Sequence, residues 1–325
     1  MKREWRFLDT GFRSAAENMA LDSVILRCKS EGLIPDTVRL LRFKPPAVLV
    51  GYHQDVEQEV RLDYVNKRGI DINRRITGGG AIYFDESSVG WEIIASRSSI
   101  PARGRVESLF EAMCEGAIKA LKILGVEASF RPKNDVEVEG RKISGTGGTE
   151  LEGAILFQGT LLVDFDVETM VKALRIPIVK LKDKELSSVR ERVTWLKREL
   201  GYTPSYEEVK GALKEGFEEA LDVKLKEAGL TAHEEERLRE ELPWFSSPDW
   251  VFLDRRISKG YLLHSSAKKP GGFIKVSLSL DKEANLIKNI FITGDFFVFP
   301  RRAIYDLESR LKFAPCDEQE IKKII

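Results

Sequence analysis

Cysteine is scarce in this chain. Cys28, Cys114 and Cys316 are the three among 325 residues, scattered too widely for a disulfide framework or a metal pair. Cys28 and Cys114 lie in helical patterns, where a packed thiol is expected. Histidine is equally rare, and His53, His233 and His264 have no ligand spacing, so no metal centre built from them is expected. An excess of one charge is also missing: 52 acidic and 52 basic side chains balance, which argues against general attraction to a nucleic-acid backbone. No apolar run reaches the roughly 20 residues of a membrane span, and Met1-Lys2-Arg3-Glu4-Trp5 has no signal-peptide core. A soluble cytoplasmic protein is expected, with neither nucleic acid nor membrane as a partner. Glutamine is confined to positions 54, 58, 158 and 319 while charged residues reach 32 %, a usage resembling that of thermophile proteins.

What is present is concentrated in Arg74-Arg75-Ile76-Thr77-Gly78-Gly79-Gly80-Ala81-Ile82-Tyr83. Three glycines let a backbone approach a bound group closely, with amide N–H groups unshielded by any Cβ. The two arginines add planar forks suited to a carboxylate or phosphate. A P-loop would need Gly-Lys-Ser/Thr and then a helix, and a dinucleotide fingerprint also opens a helix. Here Ala-Ile-Tyr-Phe reads as a strand. A bare glycine triplet is more often a hairpin turn; the arginines and a second motif reverse that reading.

The second motif is Lys133-Asn134-Asp135-Val136-Glu137-Val138-Glu139-Gly140-Arg141-Lys142-Ile143-Ser144-Gly145. It reads as a hairpin in which pleat alternation puts Lys142 and Ser144 on one face. A lysine there is costly to bury unless it meets an anion; a structural salt bridge is the plain alternative. Gly159-Thr160-Leu161-Leu162 offers another strand to wall the same cavity. Cations, exposed amides and an Asn-Asp pair without Cys or His suit polarising a carboxylate and a phosphate.

Along the chain, helices are expected around residues 18–26, 60–68 and 106–124, and strands at 37–43, 71–75, 89–95, 136–138, 142–144, 154–157 and 160–164, with a short apolar run at 47–51. From about Val167 to Leu242 the chain reads as helical and charge-rich, broken near Pro177, Gly201 and Gly229. Thr231 followed by Glu234 fits a capping box, and Ser205 a helix start. Strands at 273–280 and 286–291 and a helix at 304–311 follow.

The pattern Arg-Arg-x-Thr-Gly-Gly-Gly-Ala, then Asn-Asp, Gly-Arg-Lys-Ile-Ser-Gly and Gly-Thr-Leu-Leu resembles the lipoate–protein ligase A family of the biotin/lipoate ligase superfamily. The likeness runs from Asn18-Met19-Ala20 through Ser187-Ser188-Val189-Arg190-Glu191-Arg192-Val193. It continues to Ile292-Thr293-Gly294-Asp295-Phe296-Phe297, which is similar to the family's C-terminal accessory domain. The biotin-ligase signature Gly-Arg-Gly-Arg is absent. The resemblance implies an α+β fold, a mixed sheet with helices like that of class II aminoacyl-tRNA and biotin synthetases, plus a small C-terminal α+β domain. Residues 1–250 would form the catalytic unit and 251–325 the accessory one, with a hinge near Ser246 to Asp249.

It also implies a two-step, ATP- and Mg²⁺-dependent reaction. Lipoate or octanoate becomes an acyl-adenylate, and the acyl group then passes to a lysine of a carrier such as an E2 lipoyl domain or a glycine-cleavage H protein. Arg75, Thr77, Gly78, Gly79, Gly80 and Ala81 would line the acyl-adenylate pocket, joined by Ser144, Gly145, Gly159 and Thr160. Asn134 and Asp135 would lie near the nucleotide, with Asp135 assisting Mg²⁺. Lys142 would be catalytic, stabilising charge that develops in both half-reactions. Phe84 and Gln158 stand where the family usually has His, and Asp55 where Asn is common.

Two alternatives remain at this level. A cysteine-dependent octanoyl or lipoyl transferase of the same fold would carry its nucleophile near Glu127 to Arg131, a stretch without a thiol; Cys114 is nearest. A non-catalytic acyl- or nucleotide-binding homologue would keep the fold alone.

Overall fold

The computed structural model describes residues 2–100, 106–132, 134–175, 189, 191–253, 262–269, 271–298, 300 and 302–325. Lys133, the break at Pro177, and Ser187, Ser188 and Arg190 of the resemblance lie outside the described residues. The first seven strands are β1 (Arg3–Arg13), β2 (Thr37–Phe43), β3 (Ala47–Val50), β4 (Asp71–Arg74), β5 (Ile82–Phe84), β6 (Val89–Ser96) and β7 (Ser129–Arg131). The rest are β8 (Asp135–Val138), β9 (Arg141–Leu151), β10 (Ala154–Leu161), β11 (Val223–Glu227), β12 (Leu262–Lys269), β13 (Gly272–Asp281) and β14 (Leu286–Phe296).

An eight-stranded sheet ordered β11-β1-β2-β6-β10-β9-β8-β7 forms the centre. β1 runs parallel to β2 and β11, and the neighbours from β2 to β7 are antiparallel. Alternation along β6 explains its two faces. Trp91, Ile93 and Ala95 pack with the helices Val106–Ile123 and Tyr206–Leu221, while Gly90, Glu92 and Ile94 face the other side. That side is covered by the helix Ala15–Ser30, whose Ser14 and Glu17 form a capping box. Packing of the two helices on the first face requires glycine at their crossing, because a Cβ at Gly216 would lie 2.4 Å from the Gly116 carbonyl oxygen. The result is a mixed α+β architecture, as the motifs implied.

A three-stranded sheet ordered β4-β3-β5 carries the glycine loop between β4 and β5. A second, ordered β12-β13-β14, packs against the helix Ala303–Leu311. Among the described residues no helix is long and apolar enough to cross a membrane.

Two expectations change. The span from Val167 to Leu242 is not wholly helical, because β11 interrupts it and pairs with β1. Its Val223-Lys224-Leu225-Lys226 alternation buries the two apolar residues at a sheet edge, a pairing that no local pattern reveals. The strands expected at 154–157 and 160–164 are one strand, β10, continuous through Gly159. The residues that flank the hinge expected near Ser246 to Asp249 are tied to β4. Asn73 Nδ2 donates to Phe245 O at 2.9 Å, and Trp250 Nε1 donates to Asn73 Oδ1 and Arg74 O, both at 3.1 Å.

Candidate active site

The glycine loop is held by its own arginines. Arg74 is fully buried and donates to the carbonyl oxygens of Gly51, Tyr52 and Gln54 at 3.0, 3.0 and 2.6 Å. It also reaches the carbonyls of Trp250 and Val251 at 3.3 and 3.0 Å. Arg75 donates to Leu49 O at 2.9 Å, Thr77 Oγ1 at 3.2 Å, Gly78 O at 3.1 Å and Gly80 O at 2.9 Å. The forks read from sequence as anion binders are therefore turned on backbone oxygens, and they fix the curvature of the loop. Burial pushes the Arg75 guanidinium down to about 10, opposed by the charges of Asp295 and Asp22.

Glycine is needed here for close approach. A Cβ at Gly51 would stand 2.0 Å from Gly79 O, and Gly79 itself has φ +94°. A Cβ at Gly78 would meet Phe296 O at 2.6 Å, so the end of β14 lies directly on the loop. Gly79 N donates to Phe296 O at 3.3 Å, and Gly294 N to His53 O at 3.2 Å. His53 is buried and stacked on Phe296 with ring centroids 5.2 Å apart; it does not line the cavity.

Between this loop and the central sheet lies a cavity of about 450 Å³. One end is apolar, with Met19, Leu41, Phe43, Leu49 and Phe84. The other is polar, with Asn134, Asp135 and Lys142. Arg75, Thr77, Gly78, Gly79, Gly80, Ala81, Gly145, Gly159 and Thr160 all line it, so the structure gathers nearly every residue singled out from sequence. Ser144 is the exception. A bulge between Val136/Glu137 and their partners on β9 breaks the alternation, so Ser144 is fully buried off the cavity and Gly145 takes its place beside Lys142.

Lys142 reaches Asp135 Oδ1 at 2.5 Å, and its side chain remains 39 % exposed. A Cβ at Gly145 would sit 2.6 Å from Lys142 Nζ, so this glycine makes the space in which the ammonium lies. Asn134 closes the hairpin: its Nδ2 donates to Thr146 O at 2.8 Å, and its carbonyl accepts from Thr146 N and Oγ1. Gly145 N donates to Thr160 Oγ1 at 3.3 Å. Gly159 is required on the other face, where a Cβ would meet the Trp91 ring at 2.2 Å.

Sequence reasoning missed the buried polar group beneath the apolar end. Arg39 Nη1 donates to Asp22 Oδ1 at 2.8 Å and to Glu92 Oε2 at 3.0 Å, and Arg39 Nη2 donates to Asn18 Oδ1 at 2.8 Å. Burial, then the Glu92 charge, hold the Asp22 carboxyl well above its ordinary range, with Arg39 opposing. Glu92 lines the cavity next to Gln158, its cross-strand partner. The available signal was a glutamate inside the apolar run Val89-Gly90-Trp91-Glu92-Ile93-Ile94.

None of the three cysteines lines the cavity. Cys114 is nearest: it is fully buried against Thr146, and burial pushes its thiol up to about 12. Among the described residues no group of three or more His, Cys, Asp or Glu side chains could hold a metal ion. A dedicated metal cage is thus not built from them. Mg²⁺ delivered with a nucleotide needs only one or two carboxylates, and Asp135 and Asp295 face the cavity.

This geometry coincides with a family match. Residues 14–218 fit the model of the lipoyl protein ligase A/B catalytic domain. The chain belongs to this family. An octanoyltransferase LipM of Kyrpidia tusciae is 33 % identical over 270 residues, 76 % of this chain and 98 % of that protein. A bi-partite lipoate protein ligase of Thermoplasma acidophilum, solved in a study of an archaeal lipoylation system with its E2 lipoyl domain, superposes with a TM-score of 0.70. It is 32 % identical and covers 79 % of this chain and 99 % of its own. A lipoate-protein ligase A bound with ATP gives 0.66 at 30 % identity, covering 78 % of this chain and 99 % of its own. P. falciparum LipL1 in complex with lipoate shares the fold over 98 % of this chain and 93 % of its own, with a TM-score of 0.78 at 18 % identity. The protein is therefore an enzyme of lipoyl or octanoyl transfer, the class in which ligases and transferases both occur.

Proposed function

We propose that this family member is an ATP-dependent lipoate–protein ligase. The observation that carries the reading is the composition of the cavity: an ammonium–carboxylate pair, a glycine-rich wall and no thiol. A transferase working through a covalent thioester needs a cysteine that forms thiolate beside the acyl group. Cys114 is buried behind Thr146 with its thiol pushed up to about 12, the opposite condition.

In this reading the acyl chain of lipoate or octanoate occupies the apolar end, among Met19, Leu41 and Phe43. Its carboxylate lies near Lys142, where the glycine loop and the β8–β9 hairpin converge. Attack of a carboxylate oxygen on the α-phosphate of ATP forms the acyl-adenylate and releases pyrophosphate. Lys142 moves from Asp135 toward the oxygens that gain charge, and it does so again when a carrier lysine attacks the acyl carbon and AMP leaves. Asn134 and Asp135 stand beside the nucleotide, Asp135 being the carboxylate nearest to a phosphate-bound Mg²⁺. The carrier is a lipoyl domain of an E2 subunit or an H protein, modified at its exposed lysine. Residues 1–250 act as the catalytic unit and 251–325 as the accessory one.

Similarity to proteins named octanoyltransferase favours a second reading, acyl transfer between carriers without ATP. One experiment separates the two. Intact mass of an apo lipoyl domain is followed after incubation with the enzyme and lipoate, with and without Mg-ATP. A lipoyl increment only with ATP is expected. Modification from an octanoyl-carrier donor without ATP, abolished by Cys114→Ser, would replace the ligase reading with the transferase.

A further inference from the structure

The cavity contains more cations than the acyl-adenylate needs, and they differ in what they already hold. Among the described residues four line it: Arg75, Arg131, Lys142 and Lys268. Arg75 is spent on the loop carbonyls and Lys142 pairs with Asp135. Arg131 shares Glu137 at 3.5 Å across β7 and β8. The Lys268 ammonium has no hydrogen bond or ion pair among the described residues, and it comes from the C-terminal sheet.

We infer that Lys268 binds the outer phosphates of the nucleotide, so that the small sheet completes the site for the activation step. The inference rests on the ligase reading and names a residue for it. β12 and β13 pair with Lys268 opposite Phe273 and Lys269 opposite Gly272, so the turn end of this hairpin faces the cavity. Gly271 and Gly272 line the same lip without side chains; at Gly272 a Cβ would strike Asp295 O at 2.1 Å, with φ +141°. A lysine next to side-chain-free backbone is a geometry that accepts phosphate oxygens. Pyrophosphate gains negative charge as it leaves the α-phosphorus, and a fixed cation at its far end lowers that barrier. The carboxylates that line the cavity are Asp135, Asp295 and Glu92, and among the described residues Lys268 is the lining cation whose side chain has no partner. The hairpin also lies beyond residue 218, where the family match ends. A reaction that only moves an acyl group between carriers has no triphosphate to hold there.

The test compares wild type, Lys268→Gln and Lys268→Arg in two assays: pyrophosphate release against ATP concentration, and acyl transfer from preformed lipoyl-adenylate to an apo lipoyl domain. Lys268 is exposed, so both variants are expected to melt with wild type. The glutamine variant is expected to raise KM for ATP or lower pyrophosphate release by roughly 10–100-fold. Transfer from the adenylate should be unchanged, and arginine should recover most of the loss. Unaltered pyrophosphate release in the glutamine variant overturns the assignment while leaving the ligase reading intact. An equal loss in both assays also overturns it, placing Lys268 on the carrier or the adenylate instead. A wild-type enzyme that releases no pyrophosphate refutes the ligase reading, and this inference with it.

Discussion

The glycine loop and the β8–β9 hairpin both line one cavity, and each carries cationic side chains. They use that charge in opposite ways. Arg74 and Arg75 are buried and saturated with backbone oxygens, so the loop's shape is set before any ligand arrives. The Lys142 ammonium has one partner among the described residues, Asp135, and the side chain is 39 % exposed. A planar fork that satisfies several carbonyls serves as scaffold, whereas a flexible ammonium with one exchangeable contact is free to follow a moving charge. Burial and partner count, rather than charge, separate the two roles.

The contrast breaks most sharply in paired variants. Arg74→Met would take a donor from the carbonyl oxygens of Gly51, Tyr52, Gln54, Trp250 and Val251, of which Gly51 O keeps the Gln54 N–H. A loss of at least about 3 kcal/mol in denaturant unfolding is expected. Lys142→Ala should stay within about 0.5 kcal/mol of wild type in the same measurement. Its acylation turnover should nevertheless fall by roughly 10²–10³-fold. A Lys142→Ala protein that is active, or that unfolds as readily as the Arg74 variant, would erase the distinction.

Gly145→Ala sharpens it from the other side. The added methyl would lie 2.6 Å from Lys142 Cε and Nζ, the far end of a flexible chain, so the lysine swings away and the fold tolerates the change. Turnover should drop by roughly tenfold, since a displacement of about 1 Å is costly at a reacting centre. Stability should hold. Unchanged turnover would mean that the observed place of Lys142 beside Gly145 is not its working position.

Much of this site was legible in the sequence because its parts are local. Three glycines in a row, an Asn-Asp pair and a Gly-Arg-Lys turn each state a backbone requirement within a few residues, and the fold brought them together as expected. What was missed depends on distant partners. β11 is strand only because β1 lies beside it, more than 200 residues away in sequence. The roles of Arg74 and Arg75 turn on which carbonyls curl around them, which no pattern of residue types encodes. Ser144 was misplaced because a bulge shifts the alternation by one position. The Asp22–Arg39–Glu92 group joins three elements, and each member alone reads as an ordinary charged residue.

That last group gives the gentlest test of scaffold against chemistry, because it borders the cavity without facing the polar end. Two carboxylates accept from one guanidinium nitrogen, at 2.8 and 3.0 Å, with no access to solvent. Burial and the neighbouring Glu92 charge raise the Asp22 pKa well above the ordinary carboxylate range. The native state therefore holds this proton more tightly than the unfolded chain does. Its contribution to stability is fully present below the unfolded value and is lost as pH rises through the folded one. Asp22→Asn keeps an oxygen for Arg39 and removes the titration. The variant should gain on wild type as pH rises from about 4 to 8, reaching on the order of 1 kcal/mol in chemical denaturation. A stability difference that does not change with pH would mean that Asp22 is ionised in the native state, and that Arg39 alone offsets both buried charges.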